Sequence, residues 1–273
     1  MNDVAIVGVG MHPFGRHGYK SGIEMAVDAI HLALADADLA WKDVQFAVGS
    51  SYEVDHVDAV TGTVGLTGIP FTNVYNGCAS GASAIEQTAD AIRLGKYDIG
   101  IAVGTDKHPR GAFTADPSIF GLPAWYAENG QLVTTKFFGM KINRYLHDYS
   151  ISQDTLAKVA AKNYRNGAIN PKAFRRKPIS EEDILASEVL NYPLTQYMFC
   201  APDEGAAAVI MCKASIAARF TRQPVLLRAT EIRTRSYGAY EVHAASAPVA
   251  EDVAPTVYAS KAAYERAGIG PED

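Results

Sequence analysis

Residues 71–94, FTNVYNGCASGASAIEQTADAIRL, carry the reading of the fold. Phe71 to Tyr75 is a short strand-like run, and a helix-like run continues through Leu94. Between them the segment Asn-Gly-Cys-Ala-Ser-Gly, residues 76–81, combines turn formers with small residues. Cys78 is thereby placed at a strand-to-helix turn. A thiol there faces the unpaired backbone N–H groups and positive dipole end of a helix, both of which favour thiolate over thiol. Ala79, Ser80 and Gly81 keep the first helical turn small, so that an acyl group has room to approach the sulfur. Two readings follow from this local context: an activated nucleophile, or a small buried hydrophobe, the usual fate of a free cysteine.

Upstream, Val4 to Gly10 (VAIVGVG) reads as a strand buried on both faces. Gly8 and Gly10 have the spacing of a dinucleotide fingerprint, but the third glycine is missing and Pro13 stands where the helix should open, which argues against that site. From Ser21 to about Asp38 the apolar residues Ile23, Val27, Ile30 and Leu34 recur at helical steps, with Ser21 and Glu24 spaced as a capping box. Val44 to Gly49 is the next strand, residues 50–68 mix loop and helix, and Ile99 to Gly104 closes a strand–helix–strand series. This alternation predicts an α/β layered fold on a mainly parallel sheet, where ligands sit at the carboxyl ends of strands. Cys78 lies just past such an end.

After Thr105 the alternation stops. Residues 107–198 mix prolines, aromatics and two helices, one over Val133 to Asp148 and one from Ser152 to the stop signal Asn166-Gly167, as expected of an inserted subdomain. Arg175, Arg176 and Lys177 form a basic cluster inside it, read as a solvated turn or, alternatively, as a contact for an anionic ligand. Strands return at Gly205 to Cys212 and Pro224 to Thr230, and a last helix ends at Gly268. The segment 33–43 aligns without gaps on 263–273, matching at Ala33/Ala263, Ala37/Ala267 and Asp43/Asp273, with Leu39 opposite Ile269. The chain thus starts to repeat its own first half.

Composition narrows the function. A chain of 273 residues, 48% hydrophobic and 20% charged, has room for one large domain or two smaller ones. A formal net charge of −5 disfavours nucleic acid and anionic membrane surfaces. No apolar run reaches the length of a membrane span, so a membrane role is not expected. Cys78, Cys200 and Cys212 have neither disulfide nor zinc-ligand spacing, which suggests no bound metal and a reducing, cytoplasmic compartment.

Four ordered motifs give the chain a family resemblance. They are VAIVGVGMHPFG at 4–15, NGCASGASA at 76–84, AKNYRNGAINPKA at 161–173 and MFCAPDEGAAA at 198–208. Together they resemble the thiolase superfamily, in its lipid-transfer-protein-like branch of sterol-carrier-type thiolases and archaeal acetoacetyl-CoA thiolases. The resemblance implies a layered α-β-α-β-α fold of two similar halves with an inserted loop domain. On this chain that means residues 1–106 and 199–222 for the first half, 107–198 for a loop domain covering the acyl-CoA site, and 223–273 for the start of an incomplete second half. It implies that Cys78 accepts the acyl group while its backbone N–H helps hold the thioester oxyanion, with coenzyme A as substrate and no bound cofactor. It also implies a homodimer and, in this branch, a small zinc-ribbon and OB-fold partner protein. The family's other catalytic groups, a Gly-His-Pro histidine and a Cys-Gly-Gly cysteine among them, belong to the later second half, and those motifs are not in this sequence. The seven histidines, His12, His17, His31, His56, His108, His147 and His243, read as surface or structural. The chain alone is therefore expected to lack turnover. The functions to separate are a thiolase working through Cys78, a retro-aldolase C–C lyase on a steroid or lipid side-chain CoA thioester using tyrosines such as Tyr237 and Tyr240, and a non-catalytic lipid-binding or assembly subunit.

Overall fold

A computed structural model describes residues 3–51, 54, 56–111, 113–236 and 254–273. In chain order the elements are β1 (Val4–Met11), α1 (Gly22–Asp36), β2 (Phe46–Ser50), α2 (Thr61–Val64), β3 (Phe71–Val74), α3 (Ser80–Arg93) and β4 (Ile99–Lys107). They continue with α4 (Trp125–Glu128), α5 (Thr134–Asp148), α6 (Gln153–Ile169), α7 (Glu181–Ala186), β5 (Val189–Asn191), β6 (Leu194–Thr195), β7 (Glu204–Lys213), β8 (Val225–Leu226) and α8 (Pro255–Ala267). The chain divides into one unit of Met1–His108, Asp203–Thr234 and Ala254–Asp273, and a second of Pro109–Pro202 and Arg235–Val253.

The first unit is built on a six-stranded sheet of order β3-β2-β4-β7-β1-β8. β3, β2 and β4 pair in parallel, whereas β7 is antiparallel to both β4 and β1, and β8 is antiparallel to β1. The sheet is therefore mixed rather than mainly parallel. The register shows why: β4 ends at Lys107 directly opposite Glu204, where β7 begins. A chain that leaves the sheet at one end of a strand and returns beside it at that same end must re-enter antiparallel to the strand it left.

Helix α1 covers one face. Ser21 caps it with the full capping box, its hydroxyl accepting from the Glu24 N–H at 3.1 Å while the Glu24 carboxylate accepts from the Ser21 N–H at 2.7 Å. Met25, Ala26, Ala29, Ile30 and Ala33 are all fully buried against the sheet. The glycines of β1 belong to this contact: a Cβ on Gly10 would stand 2.0 Å from the Ala29 carbonyl oxygen, and one on Gly8 2.5 Å from that of Ala33. They let helix backbone lie on strand backbone, which accounts for the two glycines without a dinucleotide. Helix α3 covers the opposite face, where Ala84, Ala89 and Ile92 pack with Val4, Phe46, Val48, Ala102 and Met211. That cover reaches Val4 and Ile6 but not Val9, which is 56% exposed, so β1 is buried on both faces only in its first half. The strand expected over Pro224 to Thr230 pairs only at Val225 and Leu226.

The internal repeat extends to the backbone. After α1, Asp38 takes a left-handed conformation (φ 47°), the Leu39 N–H donates to the Leu34 carbonyl, and the Ala40 N–H donates to the Asp43 carboxylate. After α8 the same offsets recur: Gly268 is left-handed (φ 68°), the Ile269 N–H donates to the Tyr264 carbonyl, and the Gly270 N–H donates to the Asp273 carboxylate. Packing differs between the copies. Eight residues of α1 are buried and none of α8.

In the second unit, Ala157, Ala161, Tyr164 and Ile184 form a small core. Helix α6 runs past Asn166-Gly167 to Ile169, so Gly167 does not end it. A Cβ at Gly167 would meet the Arg175 carbonyl oxygen at 2.7 Å, and glycine is there for that close approach.

The loop between β1 and α1 is held by Glu204, whose side chain is 4% exposed. Its carboxylate accepts from the His17 N–H at 2.5 Å and lies 3.2 Å from both Lys107 Nζ and Arg16 Nη2. Burial raises the carboxyl pKa, but the His17 N–H, Lys107 and Arg16 together outweigh it and hold the group below its ordinary value. Its contribution to stability is present above the unfolded-state pKa and is lost as pH falls through the folded one. Glu204→Gln should cost about 1–3 kcal/mol at neutral pH, because two half-buried cations lose their counter-charge. Urea denaturation of both proteins checks this, and the gap between them should narrow as pH falls below the ordinary carboxylate range and the wild-type carboxyl protonates.

Candidate active site

The parallel strands β2 and β3 end level with each other, at Ser50 and Val74, while β4, in register with Ser50 at Gly104, runs on to Lys107. Four residues beyond the end of β3, and two before α3, stands Cys78. Its side chain is exposed. The buried-hydrophobe reading fits Cys212 instead, which is fully buried in β7 and whose thiol is pushed up to about 11 by desolvation. Cys200, in the second unit, is exposed.

The turn is built from Asn76, Gly77, Ser80 and Ser83. Gly77 adopts φ 52°, in the left-handed region that glycine enters without a Cβ penalty. The Ala79 N–H donates to the Asn76 carbonyl at 3.0 Å and the Ser80 N–H to the Gly77 carbonyl at 3.1 Å. The Ser80 hydroxyl donates to that same Gly77 carbonyl at 2.7 Å and accepts from the Asn76 N–H at 2.8 Å. The Asn76 side-chain amide donates to Ser83 Oγ at 3.1 Å. Both serines are buried. The residue in the N-cap position, Ala79, offers no side-chain acceptor, so the positive end of α3 is not neutralised by a capping oxygen. A strand end, an exposed thiol and an uncapped helix start are thus brought together, an arrangement suited to taking up an acyl group and stabilising negative charge on oxygen.

Sequence reasoning missed Ser80 and Ser83 as builders of this turn, although their three-residue spacing puts them on one helical face. It also missed Glu204. Of the basic cluster, Arg175 donates to the Tyr164 hydroxyl and to the Phe199 carbonyl at 3.1 Å, and its charge is used inside the second unit; Arg176 and Lys177 are exposed. His12 is buried, its Nδ1 lies 2.9 Å from the Pro13 carbonyl oxygen, and burial lowers its pKa. Tyr237, Tyr240 and His243 lie outside the described residues. No three His, Cys, Asp or Glu side chains group as metal ligands among the described residues.

Fold and site define a thiol-bearing α/β protein with an insertion between β4 and β7. The family model for the thiolase N-terminal domain matches residues 4–179, and the chain belongs to the thiolase superfamily. Its relatives place it in the sterol-carrier-protein-2-like branch. It is 29% identical to an acetyl-CoA acetyltransferase of Methanothermobacter thermautotrophicus, over 100% of this chain and 72% of that protein. Identity to bovine sterol carrier protein 2 is 27%, over 100% of this chain and 53% of that one. Among solved structures, an Ltp2-ChsH2(DUF35) aldolase superposes with TM-score 0.83 at 23% identity, covering 99% of this chain and 71% of that chain. A monomeric SCP2-thiolase-like protein from Mycobacterium smegmatis gives 0.73 at 20% identity, covering 99% and 58%.

Gly81, in the first turn of α3, has no neighbour within 4 Å of an added Cβ and no left-handed φ. Neither packing nor backbone conformation requires glycine there. Gly81→Ala should therefore raise stability, by about 0.5–1 kcal/mol, through the unfolded chain's lower entropy. Thermal denaturation should show a melting temperature higher by roughly 1–4 °C.

Proposed function

We propose that this protein is an acyl-CoA-dependent acyltransferase of thiolase type, in which Cys78 takes an acyl group from a 3-oxoacyl-CoA as the C–C bond is cleaved, or from an acyl-CoA ahead of condensation. The observation that carries the proposal is the exposed Cys78 thiol at the uncapped N-terminal end of α3, in a chain of the thiolase superfamily. Coenzyme A enters as part of the substrate. The Cys78 turn supplies the nucleophile, and the base and acid for the Cα proton are assigned to groups outside that turn.

A second reading, a retro-aldolase acting on a CoA thioester, draws on the solved fold-mate described as an aldolase. An exposed thiol at a helix start favours the first, because lyase chemistry has no use for an acyl-accepting sulfur. A partner subunit belongs to both readings, since that aldolase is a two-component assembly and another relative, at 26% identity, is the BbsB subunit of the benzoylsuccinyl-CoA thiolase of Thauera aromatica. A small zinc-ribbon and OB-fold protein is the proposed partner; a homodimer is proposed for the chain itself, with light scattering as its check against a mass of 29.3 kDa for one chain.

Acetyl-CoA mixed with the protein, quenched and analysed by peptide mass spectrometry, should leave one acyl group on the Cys78 peptide, and Cys78→Ala should abolish it. This readout needs acyl uptake only, not turnover. Retention of C–C cleavage by Cys78→Ala would instead establish the lyase.

A further inference from the structure

We propose that Ser80 is the positioning residue for acyl transfer to Cys78: by holding the Gly77–Cys78 peptide it aims the Cys78 N–H at the oxygen of the incoming thioester. This rests on the acyl-transfer reading above and adds a residue to it. In the reaction, Cys78 Sγ as thiolate adds to the thioester carbonyl carbon, and the π pair moves onto oxygen. The oxyanion then collapses, the C–S bond to coenzyme A breaks, and the departing thiolate takes up a proton equivalent to the one that Cys78 lost. Negative charge on that oxygen is largest between the two steps, and a correctly aimed N–H donor acts there.

The geometry ties that N–H to Ser80. The Gly77 carbonyl is engaged twice by one residue, by the Ser80 hydroxyl at 2.7 Å and the Ser80 N–H at 3.1 Å. A trans peptide is planar, so a carbonyl turned into the first turn of α3 sends the N–H of the same peptide, that of Cys78, the opposite way. Among the described residues the one cis peptide is Tyr192–Pro193, so the Gly77–Cys78 peptide is trans. The same hydroxyl also accepts from the Asn76 N–H, which anchors it from the strand side. Ser80 is 6% exposed and keeps both bonds shielded from water. The clamp is needed because Gly77, with no Cβ, populates both signs of φ and leaves the peptide after it free to turn. Ser80 does not touch the substrate; it acts through the peptide.

The test compares two reactions of the same sulfur. Acylation by acetyl-CoA passes through an oxyanion; alkylation by iodoacetamide does not. Single-turnover rates of both are followed at the Cys78 peptide by mass spectrometry in wild-type protein, Ser80→Ala and Ser80→Thr. Ser80→Ala should slow acylation by about 10- to 100-fold and leave alkylation within about twofold, with the acetyl-CoA concentration for half-maximal rate unchanged and Ser80→Thr restoring the rate. An equal fall in both reactions would make Ser80 a determinant of thiol exposure and overturn the proposal, as would acylation unchanged by Ser80→Ala. Should Ser80→Ala fail to fold, the pair Ser80→Thr and Ser80→Val, alike in shape and differing in the hydroxyl, carries the same comparison. Wild-type protein that is alkylated at Cys78 yet never acylated would overturn the acyl-transfer reading, and the role of Ser80 with it.

Discussion

Glu204 is the point where the chain's two long excursions from the sheet are tied down. Its backbone exchanges two hydrogen bonds with Gly15, and its carboxylate meets Arg16, Lys107 and the His17 N–H. Lys107 in turn donates to the carbonyls of His17 and Lys20. A buried carboxylate is costly unless its oxygens are engaged, and here they are engaged by the loop entering α1 and by the last residue of β4. The chain therefore leaves and rejoins the sheet beside a fixed point. The antiparallel insertion of β7 between two strands of one direction follows from that closure.

The same sheet sets the stage for Cys78. β2, itself paired with β4, holds β3 in register, β3 delivers the turn, and α3 lies over Phe46, Val48 and Ala102 from Ala84 onward. Rigid elements on both sides leave the five-residue turn little freedom, and the Asn76–Ser80–Ser83 hydrogen bonds remove more. Cys78 stays exposed, with open space beside Gly81. A nucleophile needs this combination, because a loop that positioned the thiol loosely would lose the orientation that acyl transfer depends on.

Much of this was legible from residues close together in the chain. The strand–turn–helix around Cys78, the Ser21–Glu24 capping box and the helix over 134–148 depend on neighbours within one or two turns, and local chemistry decides such features. The repeat of 33–43 at 263–273 was legible too, and it recurs down to a left-handed residue and a carboxylate accepting three residues back. Expectations that failed had a common cause. Gly167 looked like a helix stop and is a packing glycine, because Arg175 passes over it. Val9 looked buried because its strand is apolar, but no element among the described residues covers it.

By itself, then, the sequence determined the α/β character of the chain, its strand-to-helix cysteine turn and its kinship with thiolases. Short-range pattern and ordered motifs carry that information. Only the tertiary structure decided that the sheet is mixed, that Cys78 is exposed while Cys212 is buried, that Arg175 is used internally, and that Glu204 joins three segments. These outcomes depend on pairs far apart in sequence, such as Lys107 with Glu204 or Arg16 with Glu204. Their energies arise from burial and charge pairing in the assembled fold, which no local periodicity records.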